Sequence, residues 1–199
     1  MLWQIIISSL LVSGSSFQQD DSTALFRTIE IWRQERNSEL AQGKELPDVD
    51  KKEFAGLHYF PINLKYRFNV RLQKPKKVEY VDMIASDGRL RPARVFGYFE
   101  FAVDSAKCRL YVYKLNDVAK KYPKLLFLPF TDLTSNRESY GGGRYVDLTE
   151  QTHDDYILDF NIAYNPSCAY GKTTFSCPIP PPENHLRVRI EAGERKWKH

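Results

Sequence analysis

The residue types best suited to chemistry crowd into the stretch from Leu126 to Glu194. There Tyr140-Gly141-Gly142-Gly143-Arg144 sets three consecutive glycines before an arginine. Backbone N–H groups of such glycines can converge on an anion, and a guanidinium can fork onto a carboxylate or phosphate. With Asp132, Asp159 and Asn161 as supporting polar groups, this run is the candidate site for a small anionic ligand. An architectural reading competes with it. The glycines would permit a bulge or a close backbone crossing, and Arg144 would pair internally with Asp132 or Asp159. No Lys-Ser/Thr follows the glycines and no G-x-G-x-x-G occurs, so neither nucleotide-binding loop is present.

Carboxylates suggest a second chemistry. Asp132, Asp159 and Glu183 could serve as acid and base of a hydrolase acting on a polar substrate, provided two of them face one cleft at the separation such catalysis needs. There is no G-x-S-x-G elbow for a serine nucleophile. His153-Asp154-Asp155 is metal-friendly in composition, but neighbours on a strand point to opposite faces, which favours a solvated turn. His58 and His185 lack an H-E-x-x-H partner. No metal or cofactor is expected.

Cys168 and Cys177 are expected to form a disulfide, since an exported chain sits where such bonds persist. Their spacing to His185 matches no common zinc finger. Cys108, at the head of an apolar strand, is expected to be a buried free thiol.

Positioning these groups requires a largely β framework. Tyr and Phe number 12 each, and aromatic side chains suit half-buried pleated surfaces. Tyr66, Phe68, Val70 and Leu72 alternate with Arg67, Asn69 and Arg71, predicting a strand with one apolar and one basic face. With Lys65, Lys74, Lys76 and Lys77, that face reads as solvated, with attachment to an anionic envelope surface as a secondary use. Further strands are expected at Val78–Ile84, Arg94–Val103, Cys108–Leu115, Leu125–Phe130, Arg144–Leu148, Tyr156–Phe160 and Leu186–Glu191. Ahead of them, Leu25, Ile29, Trp32 and Leu40 fall at helical spacing, capped by Asp21 or Ser22 and ended at Gly43. The predicted fold is an antiparallel barrel or sandwich, the barrel preferred, preceded by one amphipathic helix. Pro178–Pro182 should run as an extended strap.

The 29 basic and 25 acidic residues leave a formal charge of +4, too mild to call for a nucleic-acid partner. At the amino terminus, Leu2–Val12 is an apolar run of signal-peptide length followed by Ser13-Gly14-Ser15-Ser16, small enough for signal peptidase. It is too short for a transmembrane segment. The expectation is a signal peptide over 1–16, a polar, flexible 17–21, and a single β-rich domain over 17–199 that is exported to the periplasm or medium.

Phe130-Thr131-Asp132-Leu133-Thr134 leading to Tyr140-Gly141-Gly142-Gly143-Arg144-Tyr145, then Asp159-Phe160-Asn161-Ile162-Ala163-Tyr164-Asn165-Pro166, Cys168-Ala169-Tyr170, Cys177-Pro178 and Pro181-Pro182-Glu183-Asn184, resembles the prokaryotic family catalogued as domain of unknown function 1684. The resemblance spans most of the mature chain and implies no reaction, so it assigns no catalytic residue. Asn136 stands where similar sequences tend to have glycine. Relatives without export signals carry the same cysteine pair, which keeps a reduced or metal-bound pair open. The functional expectation is a non-catalytic β domain binding a small anionic ligand or envelope component, with the hydrolase as alternative.

Overall fold

The computed structural model describes residues 15–171 and 174–197, with side chains from Ser22 onward. The proposed signal segment therefore lies outside the described residues except at its last two positions, which begin a helix.

Helix α1 spans Ser15–Gln42. It starts before the expected cap, so the polar 17–21 segment is helical. Ile29 and Leu40 are buried, as the apolar spacing required. Gly43 N–H donates to Glu39 O at 2.7 Å, and the helix stops there. A short α2, Asp48–Lys52, follows.

Among the described residues seven strands come next: β1 Arg67–Arg71, β2 Glu79–Ile84, β3 Leu90–Val103, β4 Ala106–Leu115, β5 Leu125–Phe130, β6 Arg144–Thr149 and β7 Asp155–Asp159, with the short helix α3, Asn116–Ala119, between β4 and β5. Strands β2-β3-β4-β5-β6 form one antiparallel sheet, and β1 pairs with β7 in a second. The fold is thus β-rich with a leading helix, as expected. A closed barrel, the preferred form, is not what the chain makes. Short returns of chain occupy the positions where closure would occur: Ala85 bridges to Pro178 beside β2, and Tyr145 of β6 bridges to Tyr164.

Strand β3 changes which face it buries. A register shift lies between Val95 and Gly97, and one inserted residue reverses the alternation of side chains. Val95 opposite Tyr113 consequently joins one apolar cluster with Met83, Phe127 and Tyr145. Phe99 opposite Leu110 joins the main core with Leu126, Leu128, Phe130, Tyr156, Leu158 and Phe160. Strand β5 lies between the two clusters, which is why Leu126–Phe130 is buried throughout.

Leu186–Glu191 was expected to be a strand and is not. Leu186 and Ile190 do point into the core. Their backbone, however, is tied to Thr131 O and to the Asp132 carboxylate instead of to a neighbouring ladder. Period two here reports burial, with a single parallel bridge between Thr131 and His185 in place of a ladder.

Candidate functional site

The candidate residues resolve into two internal networks and a surface turn. Arg144 lies at the start of β6 and is completely buried. Its Nη2 donates to Asp132 Oδ1 at 3.1 Å, Ile190 O at 2.9 Å and Thr134 Oγ1 at 3.3 Å. Its Nη1 donates to Ala192 O and Glu194 O. Asp132 is in turn reached by Ile190 N–H at 2.7 Å and Thr134 Oγ1 at 2.9 Å. Desolvation lowers the Arg144 pKa, and the Asp132 carboxylate opposes that shift. Of the two internal partners considered, Asp132 is the one engaged, and the guanidinium presents no face to solvent.

Asp159 and Asn161 belong to the second network. Arg67 Nη1 donates to Asp159 Oδ2 at 2.6 Å, and Asn161 Nδ2 donates to Asp159 Oδ1 at 2.9 Å. Asn161 also exchanges two hydrogen bonds with the Asn63 backbone and accepts Arg33 of α1 on its carbonyl. The pair anchors the helix and the entry to β1.

Tyr140 and the glycines form a turn in which Gly143 N–H donates to Tyr140 O. Gly143 has φ +87°, and an added Cβ would lie 2.6 Å from Phe130 O and from Pro180. The last glycine is therefore needed where β6 crosses close to other backbone. Asn136 has φ 63°, a region that Asn tolerates better than most residues.

Asp132 and Asp159 thus face different cations in different networks, and Glu183 is exposed on a 3₁₀ turn, Pro182–Asn184. These three acids share no cleft, which removes the paired-carboxylate arrangement. The basic face of β1 is answered across the sheet: Arg67 and Arg71 stand in register with Asp159 and Asp155 and pair with them. Lys65 and Lys74 pair with Asp104 and Asp154. Cys108 is buried and free. Cys168 and Cys177 form a disulfide.

An open space does exist, on the other face of the large sheet from Arg144. A cavity of about 240 Å³ lies between β4–β6, α3 and the 175–178 segment. Leu115, Val118, Phe127, Phe175 and Pro178 give it apolar walls, and Arg91, Asp147, Tyr145 and Tyr164 supply polar groups. The disulfide fastens the covering segment to the 3₁₀ turn Ser167–Tyr170. Tyr145 Oη donates to Pro178 O, drawing the strap onto the sheet. A second cleft of about 410 Å³, bordered by Trp32, Arg36, Glu39 and Glu45, shares Asp147, Tyr164 and Ser167 with the first.

Asp147 and Tyr164 sit where the two spaces meet. Tyr164 Oη donates to Asp147 Oδ2 at 2.8 Å. Asp147 is exposed to water within the clefts, yet protein crowds it, and that desolvation raises its pKa against the Tyr164 hydrogen bond and the Arg36 charge. Asp147 follows Tyr145 on the face of β6 opposite Arg144, a placement readable from alternation alone. What brings Tyr164 and residues 175–178 beside it is long-range pairing with no local sequence signal.

A family model described as a protein of unknown function matches residues 52–195. The chain belongs to the DUF1684 family. An uncharacterised protein of Haloarcula marismortui solved by solution NMR is 31% identical, with a TM-score of 0.68 over 90% of this chain and 99% of that one. No curated protein sequence matches. The DUF1684 match includes the whole lining of the first cavity and both networks except Arg33, which lies on the preceding α1.

Proposed function

We propose that this DUF1684 chain is a non-catalytic binding module that holds a small, mainly apolar molecule in the cavity beneath residues 175–178. The observation that carries this reading is the joining of apolar walls with a few convergent polar groups around one open space, the usual make-up of a ligand pocket. At about 240 Å³ it is smaller than the roughly 300–1,000 Å³ of drug-sized sites, so it suits a body of about one ring. The ligand site expected around Arg144 is not favoured, because an anion there would have to displace a buried carboxylate and backbone carbonyls.

Export to the periplasm or medium is part of the same proposal. Its support is the apolar Leu2–Val12 run with small residues after it, together with the Cys168–Cys177 bond, which suits an oxidising compartment. Intact mass of the protein recovered from its producing cell would read both features.

To test the cavity, 2-phenylethanol would be titrated while backbone amide shifts are followed. Shifts confined to Phe127, Tyr145, Phe175 and Ser176 are expected, and Ala119→Phe, which fills the space from α3, should abolish them. Shifts that persist unchanged in the filled variant would refute the assignment.

A further inference from the structure

Resting on that cavity reading, we infer that the natural occupant carries an ammonium group, which Asp147 receives. Each cation along the two clefts already has a carboxylate partner. Arg91 Nη2 donates to Asp117 at 2.6 Å and its Nη1 to Ser176 O, while Arg36 Nη1 donates to Glu45 at 3.4 Å. Asp147 differs from every other acid lining these clefts. Its one hydrogen bond is from the neutral Tyr164 hydroxyl to Oδ2, and among the described residues no cation stands within ion-pair distance. Oδ1 is left free to accept.

The surroundings favour a cation. Two arginines, Arg91 and Arg36, line the clefts against three carboxylates, Asp147, Glu39 and Glu45, so the lining itself carries an excess negative charge. Tyr145 stands edge-on to Tyr164 at 5.7 Å and to Phe127 at 4.6 Å. Aromatic faces of this kind attract cations, and Arg36 already lies over that of Tyr164 at 5.5 Å. A carboxylate ligand would instead have to compete with Asp117 for Arg91 and would meet Asp147 as a like charge.

Matched probes with a common ring separate the possibilities: 2-phenylethylamine, 2-phenylethanol and 3-phenylpropionate, titrated by calorimetry and amide shifts at neutral pH. A charge-assisted hydrogen bond contributes roughly 1.5–3 kcal/mol, about a tenfold to hundredfold preference. The amine is expected to bind at least about tenfold more tightly than the alcohol. Asp147→Asn, which keeps an acceptor for Tyr164, should erase the preference for amine over alcohol, and Asp147→Glu should restore part of it. Equal affinity of amine and alcohol for the native protein would overturn the ammonium inference while the cavity reading stood. Tighter binding of phenylpropionate would overturn it in favour of Arg91. If no probe gave shifts that Ala119→Phe removes, the cavity reading itself would fall. The native protein's ranking of the three probes decides the matter even if a variant does not fold.

Discussion

Arg144 and Asp132 meet at 3.1 Å with both side chains fully excluded from solvent. Removing one member of such a pair leaves an uncompensated buried charge and costs about 3–5 kcal/mol, although the intact pair need not stabilise the fold relative to apolar residues. Arg144→Met should therefore lower the urea-unfolding free energy by that amount. Asp132→Asn should lower it too, with the extra loss of an acceptor for Ile190 N–H. A change below about 1 kcal/mol for Arg144→Met would contradict the architectural role.

The first and last of the three glycines should respond unequally. Gly143→Ala forces a side chain into a left-handed backbone and against the Phe130 carbonyl, and a loss above about 1 kcal/mol is expected. At Gly141 the three atoms nearest an added Cβ all belong to the Asn136 side chain, the first at 3.0 Å, so Gly141→Ala should cost clearly less. Thermal unfolding of the two variants side by side checks the order.

Glu194 gives the fold a pH dependence. Burial raises its pKa from 4.5 to about 7, opposed by hydrogen bonds from Asn165 and Tyr170 and by the Arg36 charge. The folded state then holds a proton that the unfolded state releases. Stability from this group is complete below about pH 4.5 and is lost as pH rises past about 7, by on the order of a few kcal/mol. Melting temperatures from pH 5 to 8 should fall in the native protein and stay flatter in Glu194→Gln. Parallel slopes would show that other groups set the trend.

Replacing Cys168 and Cys177 together by Ser opens a loop of about ten residues, with an expected loss of about 2.5–3 kcal/mol in the chain-entropy model. Because the bond also anchors one wall of the cavity, affinity for 2-phenylethanol should fall more than in Arg144→Met, a variant at least as destabilised on the other face of the sheet.

Local patterns made much of the framework legible. Alternation marked β1 correctly because one face is buried, and the apolar run Leu125–Phe130 marked a strand covered on both sides. The same alternation misled at Leu186–Glu191, where side-chain and loop acceptors replace a ladder. Asp132 was identifiable as the Arg144 partner only as one of two choices, since Asp159 has the same chemistry and distance decides between them. The cavity was not legible. Its polar pair joins β6 to Tyr164 through a bridge of Tyr145 with that residue, and such contacts leave no periodic trace.

The acceptors of Arg144 on the carbonyls of Ile190, Ala192 and Glu194 have a bearing on biosynthesis. A nascent chain that has not yet extruded those residues has a guanidinium committed to the interior with most of its acceptors missing. Native burial of the start of β6 must therefore wait until this late segment leaves the ribosome.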